Sequence, residues 1–225
     1  MAAQAVVSSL CENAHTGDLL LFNQRCDGLL GSPGWAAVCA GRKYGLSQST
    51  RGVFDHAGVV VRNPRTGVPW LLEGDARAVK LTPLDERAME VADTAIDVVL
   101  VRLRLRVERS AALEERAQEF VRELGVTDRV GVAVRPSLAQ LWRLYDDDAA
   151  GSHHVPAAVA SGGSADPHFG AGLVAALYAR LGFLSPELAA RQWTPLGLRS
   201  AAFRRCLQGG AELQGEIYIL QRTPR

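Results

Sequence analysis

Between residues 54 and 81 three apolar runs follow one another with very little chain between them: Phe54 to Arg62, Pro69 to Glu73 and Ala78 to Leu81. The segments that separate them, "NPRTG" and "GDAR", are made of turn formers. Connections this short join strands as hairpins, because a parallel crossover needs a dozen or more residues. The region therefore reads as an antiparallel meander, and the rest of the chain has to pack around that sheet.

The flanking segments supply the other elements. "AAQAVVSSLCENA" carries Val6, Leu10 and Ala14 at helical spacing, and "TGDLLLF" follows as a turn and a short strand. "SPGWAAVCAGRKYG" is read as a short helix in an otherwise irregular stretch from Asn23 to Thr50. After the meander, "PLDERAMEVA" predicts a short helix. "IDVVLVRLRLRV" then sets Val101, Leu103, Leu105 and Val107 against Arg102, Arg104 and Arg106, the period of a strand with one solvated face. Those arginines are suited to an anion, but a solvated strand face is the better account of them.

"SAALEERAQEFVREL" is a helix with an N-cap serine, Glu114 near the capping-box position and a stripe of Leu113, Ala117, Phe120, Val121 and Leu124. "PSLAQLWRLY" predicts a further short helix. Residues 146–167, "DDDAAGSHHVPAAVASGGSADP", are turn formers and small residues without periodicity, a loop or lid. "HFGAGLVAALYARLGF" holds a helix with the stripe Leu173, Val174, Leu177, Tyr178 and Leu181. "TPLGLRSAAFRRCL" is read as helical, and "GEIYILQR" as the last strand. The expected fold is α+β, an antiparallel sheet of about five or six strands with helices packed on one side.

With 225 residues, 48% of them hydrophobic and 22% charged, the chain can fill one core, so residues 1–225 are expected to form a single domain. A formal net charge of +1 offers no basic field for nucleic acid. The first residues lack the basic lead and apolar run of a signal peptide, and no window approaches the ~20 apolar residues of a spanning helix. The expectation is a cytoplasmic protein without a transmembrane segment. Cys11, Cys26, Cys39 and Cys206 show neither metal-ligand spacing nor close pairing and read as reduced structural thiols. The adjacent His153 and His154 lack a spaced partner ligand, so no metal or cofactor is expected.

Chemistry concentrates in two segments. "FDHAGVVV" places His56 near the start of an apolar strand, and "WLLEGD" ends the next strand with Glu73. Across a hairpin such residues face the same way, and a carboxylate there orients the imidazole and stabilises its charged form. The missing partner is a cysteine at a helix N-terminus, where unpaired N–H groups and the helix dipole lower a thiol pKa. The helix beginning near Phe169 has that architecture, without the cysteine. Cys26 and Cys39 do not open a clear apolar helix, and Ser164 lies in the loop. His168, close to the helix start, is either a cleft residue or a solvated one.

In this order, "TGDLLLF", "FDHAGVVVR", "LLEGDARAVKLTPLDE" and "FGAGLVAALYARLGF" resemble the circularly permuted branch of the NlpC superfamily of papain-like proteins, where the histidine strand precedes the cysteine helix. The blocks cover about half the chain. The resemblance implies a permuted papain-like fold, with His56 on the catalytic histidine, Glu73 on its polar orienting residue and Asp18 on the aspartate of the GD turn, a structural position. The family's cysteine stands three residues before the leucine of "LV", which here is Gly170; a register slip of one puts Ala171 there instead. Asp18, His168, Phe169 and Ala171 are the further candidates to line the cleft.

The resemblance further implies amide, peptide or lipid-ester substrates and acyl-thioester chemistry. Without a thiol the expectation is a catalytically inactive pseudoenzyme that acts as a binding or scaffold protein, holding a peptide, lipid or protein ligand in the cleft. Two alternatives remain. One is a thiol peptidase, amidase, lipid acyl hydrolase or acyltransferase whose cysteine has been replaced. The other is an unrelated interaction domain.

Overall fold

The computed structural model describes residues 2–24, 54, 56–74, 78–106, 108–126, 132–133, 170–189 and 193–221. In chain order the elements are α1 (Ala2–Asn13), β1 (Leu19–Gln24), β2 (His56–Arg62), β3 (Pro69–Gly74), β4 (Ala78–Pro83), α2 (Leu84–Thr94) and β5 (Ala95–Leu105). They continue with α3 (Ala111–Glu123), β6 (Val132–Ala133), α4 (Ala171–Leu181), α5 (Pro186–Ala189), a 3₁₀ turn (Gly197–Arg199), α6 (Ala201–Cys206) and β7 (Ala211–Gln221). The expected helices in 32–45 and 136–145, and the loop 146–167, lie outside the described residues.

The strands form one sheet in the order β6-β4-β3-β2-β1-β5-β7, with every neighbouring pair antiparallel. The meander is present as read: β2, β3 and β4 are adjacent, with Val60 opposite Leu71 and Leu72 opposite Leu81. Six strands match the expected ones, and the two-residue β6 adds a seventh at the β4 edge. The architecture is α+β.

The expectation that helices cover one side is corrected: they cover both. Leu19, Leu21, Ala57, Val59, Leu72, Val99 and Val101 face α3, α4 and Phe203 of α6. Leu20, Phe22, Val60, Leu71, Val98 and Leu100 face Leu10 and Ala14 at the end of α1 and Leu84, Ala88 and Val91 of α2. The reason is written in the strands. "LLLF" and "VVLV" do not alternate, so both faces of β1 and of the first half of β5 must be hidden from water. Burying each large aliphatic side chain contributes about 1.5–3 kcal/mol, and a bare face would forfeit that along its whole length. Only from Arg102 onward does β5 alternate, with Leu103 buried and Arg104 exposed.

Among the described helices α4 buries the longest stripe, with Leu173, Val174, Leu177, Tyr178 and Leu181 all inside. It stops because Gly182 takes the left-handed conformation (φ 81°), which lets the Phe183 N–H donate back to the Tyr178 carbonyl at 2.8 Å. Its start is equally dependent on glycine. Gly170, the N-cap, has φ 52° and ψ −123°, outside the regions open to residues with a Cβ. Ser110 occupies the N-cap of α3 as expected but makes no side-chain cap. Glu114 is not a capping-box residue: its carboxylate instead accepts from Thr16 Oγ1, on the turn before β1.

Candidate functional site

The β1–β2 and β2–β3 registers determine where the candidate residues point. Phe22 pairs with His56, and Gly58 pairs with Glu73. His56 and Gly58 are two apart on one strand, so His56 and Glu73 share a face and are diagonal neighbours. The expected cross-strand contact exists: His56 Nε2 lies 2.8 Å from Glu73 Oε2. Gly58 leaves little room beside it, since a Cβ there would stand 2.9 Å from the Leu71 side chain.

A third residue completes the cluster. Arg87, from α2, has Nε 2.7 Å from Glu73 Oε1, while its Nη2 donates to Glu73 Oε2 at 3.2 Å and its Nη1 to Glu90 Oε2 at 3.0 Å. Its guanidinium also lies 5.4 Å from the centroid of the Phe22 ring, and the His56 ring sits 5.6 Å from that same ring. Sequence reasoning passed over Arg87, although a signal existed. It falls within the α2 stripe formed by Leu84, Ala88 and Val91, where an arginine turned inward needs a buried carboxylate.

The electrostatics follow from burial. Desolvation raises the Glu73 carboxyl, but the hydrogen bond from His56 and the charges of Arg87 and His56 outweigh it and bring the pKa down to about 2. Glu73 is therefore an acceptor only, and His56 Nε2 must carry the hydrogen between them. That tautomer leaves Nδ1 as the basic nitrogen of the neutral ring, the arrangement of a histidine base held by a carboxylate.

Helix α4 reaches the same end of the sheet but not the same face. The Gly170 N–H donates to the Gly74 carbonyl at 3.1 Å, one residue beyond Glu73. The Ala171 side chain, however, is buried with Leu72 and Ala57 in the core opposite His56. Backbone thus joins the helix start to the Glu73 strand, while the side chains of His56 and Ala171 point to opposite sides. A Cβ added at Gly170 would meet nothing within 4 Å, so only its backbone conformation resists a side chain there.

The remaining candidates divide. Asp18 lies immediately before β1, whereas Phe22, near the other end of that strand, is the residue opposite His56. Asp18 Oδ2 accepts from the His15 N–H at 2.9 Å and Oδ1 from the Leu103 N–H at 2.8 Å, while the Asp18 carbonyl accepts from the Val60 N–H. That makes the GD turn a clasp between β1, β2 and β5, as its structural reading anticipates. Burial raises the Asp18 carboxyl, only partly offset by the His15 and Leu103 hydrogen bonds and by Arg109. His168, Phe169, Cys26, Cys39, Ser164, His153 and His154 lie outside the described residues. Of the described cysteines, burial, aided by Asp85, pushes the Cys11 thiol up to about 11, so it is inert at neutral pH. No group of side chains among the described residues has the makings of a metal site, and no described helix is long and apolar enough to cross a membrane.

No family model, curated protein or solved structure matches this chain.

Proposed function

We propose that this protein is a non-catalytic binding or scaffold domain of the permuted papain-like, NlpC type, in which a histidine–carboxylate pair persists without a nucleophile. The observation that carries the proposal is the start of α4, where Gly170 supplies no side chain and occupies a conformation suited to glycine. Two further observations support the protein's non-catalytic character. His56 is engaged by Glu73 within a buried ion cluster that also holds Arg87. The helix that would bear a thiol buries its first side chain on the opposite face of the sheet. The order of the GD turn, the histidine strand, the Glu73 strand and the helix supports the family reading, and the ligand class it implies is a peptide, lipid or protein.

Incubation with an activated acyl ester, followed by intact-mass analysis and site mapping, tests the proposal. The expected result is no stoichiometric acyl adduct and no ester turnover above that of a His56→Ala variant. Stoichiometric acylation at Cys26 or Cys39 that disappears in His56→Ala would overturn it and make the protein a thiol acyltransferase or hydrolase.

A further inference from the structure

At the opposite end of β1 from the Phe22–His56 pair, a cavity of about 310 Å³ opens beside the GD turn, with Asp18, His15, Arg102, Arg104, Arg109 and Gln214 in its wall. A water takes about 30 Å³ of liquid, so the space exceeds that of a lone ion and sits at the small end of organic-ligand pockets.

The charges in the wall are not all answered from within. The oxygens of Asp18 accept from the backbone of His15 and Leu103, and Arg109 Nη2 at 3.4 Å is its counter-ion; Arg109 also donates to the Leu103 carbonyl at 2.5 Å. The other carboxylate in the wall, Glu108, is exposed. Arg102 and Arg104 both lie on the face of β5 that carries Leu100, Arg104 at an exposed position opposite Glu212 of β7. Arg102 Nε is sealed from solvent and has no hydrogen-bond partner among the described residues. A buried guanidinium N–H left unpaired costs more than a neutral donor would, so this group favours any oxyanion that reaches it. Burial, and after it Arg109 with smaller shares from Arg62 and Arg102, also lowers the His15 pKa despite Asp18, as a cationic surrounding does.

We propose that this cavity binds a small organic oxyanion, a carboxylate or a phosphate monoester, through the guanidinium groups of Arg102 and Arg104. The site is separate from the His56 cluster and does not depend on how that cluster is read. Gln214, reaching across from β7 where its pairing with β5 shifts register between Val101 and Leu103, offers an amide donor to the same group.

The test uses the full chain at fixed ionic strength, with phenyl phosphate and benzoate as separate probes and sodium chloride as the control. Thermal melts and calorimetric titration are expected to give a saturable rise in Tm and a defined Kd for at least one probe. Phenyl phosphate alone would mark a phosphate monoester and benzoate alone a carboxylate. Arg102→Gln is expected to weaken binding about tenfold or more, equivalent to about 1.4 kcal/mol, and the exposed Arg104→Gln to weaken it less. His56→Ala is expected to bind as the parent does. Absence of a saturable response to both probes overturns the proposal. So does a response left unchanged by Arg104→Gln and by a folded Arg102→Gln.

Discussion

The Gly170 N–H donates to the carbonyl of Gly74 at 3.1 Å, which fastens the start of α4 to the strand that carries Glu73. The contact is between backbones alone. Glu73 turns toward α2, and the first side chain of α4 turns toward the opposite core. Closeness in the chain trace and closeness of chemistry are therefore different things at this position, and each can be probed by substitution.

Substituting Gly170 should strain the backbone rather than crowd the site. With φ at 52° and nothing within 4 Å of an added Cβ, Gly170→Ala and Gly170→Cys are each expected to cost about 1–3 kcal/mol, and by nearly the same amount. Urea denaturation measures it. Gly170→Cys is further expected to gain no esterase activity dependent on His56. Such a gain would mean that thiol and imidazole meet after all, and that the helix start turns toward the His56 face.

Removing Arg87 should be expensive for a different reason. Glu73 and Arg87 are both largely buried, and breaking a buried ion pair by deleting one partner costs about 3–5 kcal/mol because the other charge is stranded. Arg87→Met is expected to lose stability in that range while keeping the fold. A loss below about 1 kcal/mol, the size typical of an exposed pair, would show that the cluster is open to water.

Much of this arrangement was legible in the sequence, and the failures have physical causes. Short turns between apolar runs specify an antiparallel meander, and a hairpin between their strands lets His56 and Glu73 share a face. The number of covered faces was misread although "LLLF" and "VVLV" lack the alternation of a half-solvated strand. Arg87 went unnoticed because a helical stripe is scored by its apolar members, and a charge inside it looks like an edge. Which face of the sheet α4 covers was beyond the pattern altogether: an apolar stripe states that a helix is buried, and only the long-range packing decides against which side.

Acid should weaken the protein through Glu73. Its carboxyl is at about 2 in the folded chain against 4.5 ordinarily, so its contribution is complete above pH 4.5 and is lost as the pH falls from 4.5 toward 2. The difference corresponds to at most about 3 kcal/mol. Asp18 and Glu114, whose carboxyls are raised by burial, act in the opposite sense: each favours the folded state while protonated, and that contribution fades as the pH rises through its folded value. Denaturation at a series of pH values is expected to show a fall below pH 4.5 that is shallower in Glu73→Gln. Equal slopes in the two proteins would remove Glu73 as the source.

Tyr178 links the far side of α4 to the GD turn. Its hydroxyl, wholly buried, donates to the Gly17 carbonyl at 2.6 Å, and burial holds the phenol well above its usual pKa. Gly17 has no freedom to shift and compensate. Its φ is 92°, its N–H donates to the Val60 carbonyl, and a Cβ on it would stand 2.5 Å from Leu103 Cδ2. In Tyr178→Phe the carbonyl loses its buried donor while the ring packing against Phe183 and Phe203 remains, so the expected cost is that of one unsatisfied acceptor, about 1–3 kcal/mol. Gly17→Ala should cost more, because it adds both a clash and backbone strain. Equilibrium denaturation orders the two variants, and a Tyr178→Phe protein as stable as the parent would show that water reaches the Gly17 carbonyl.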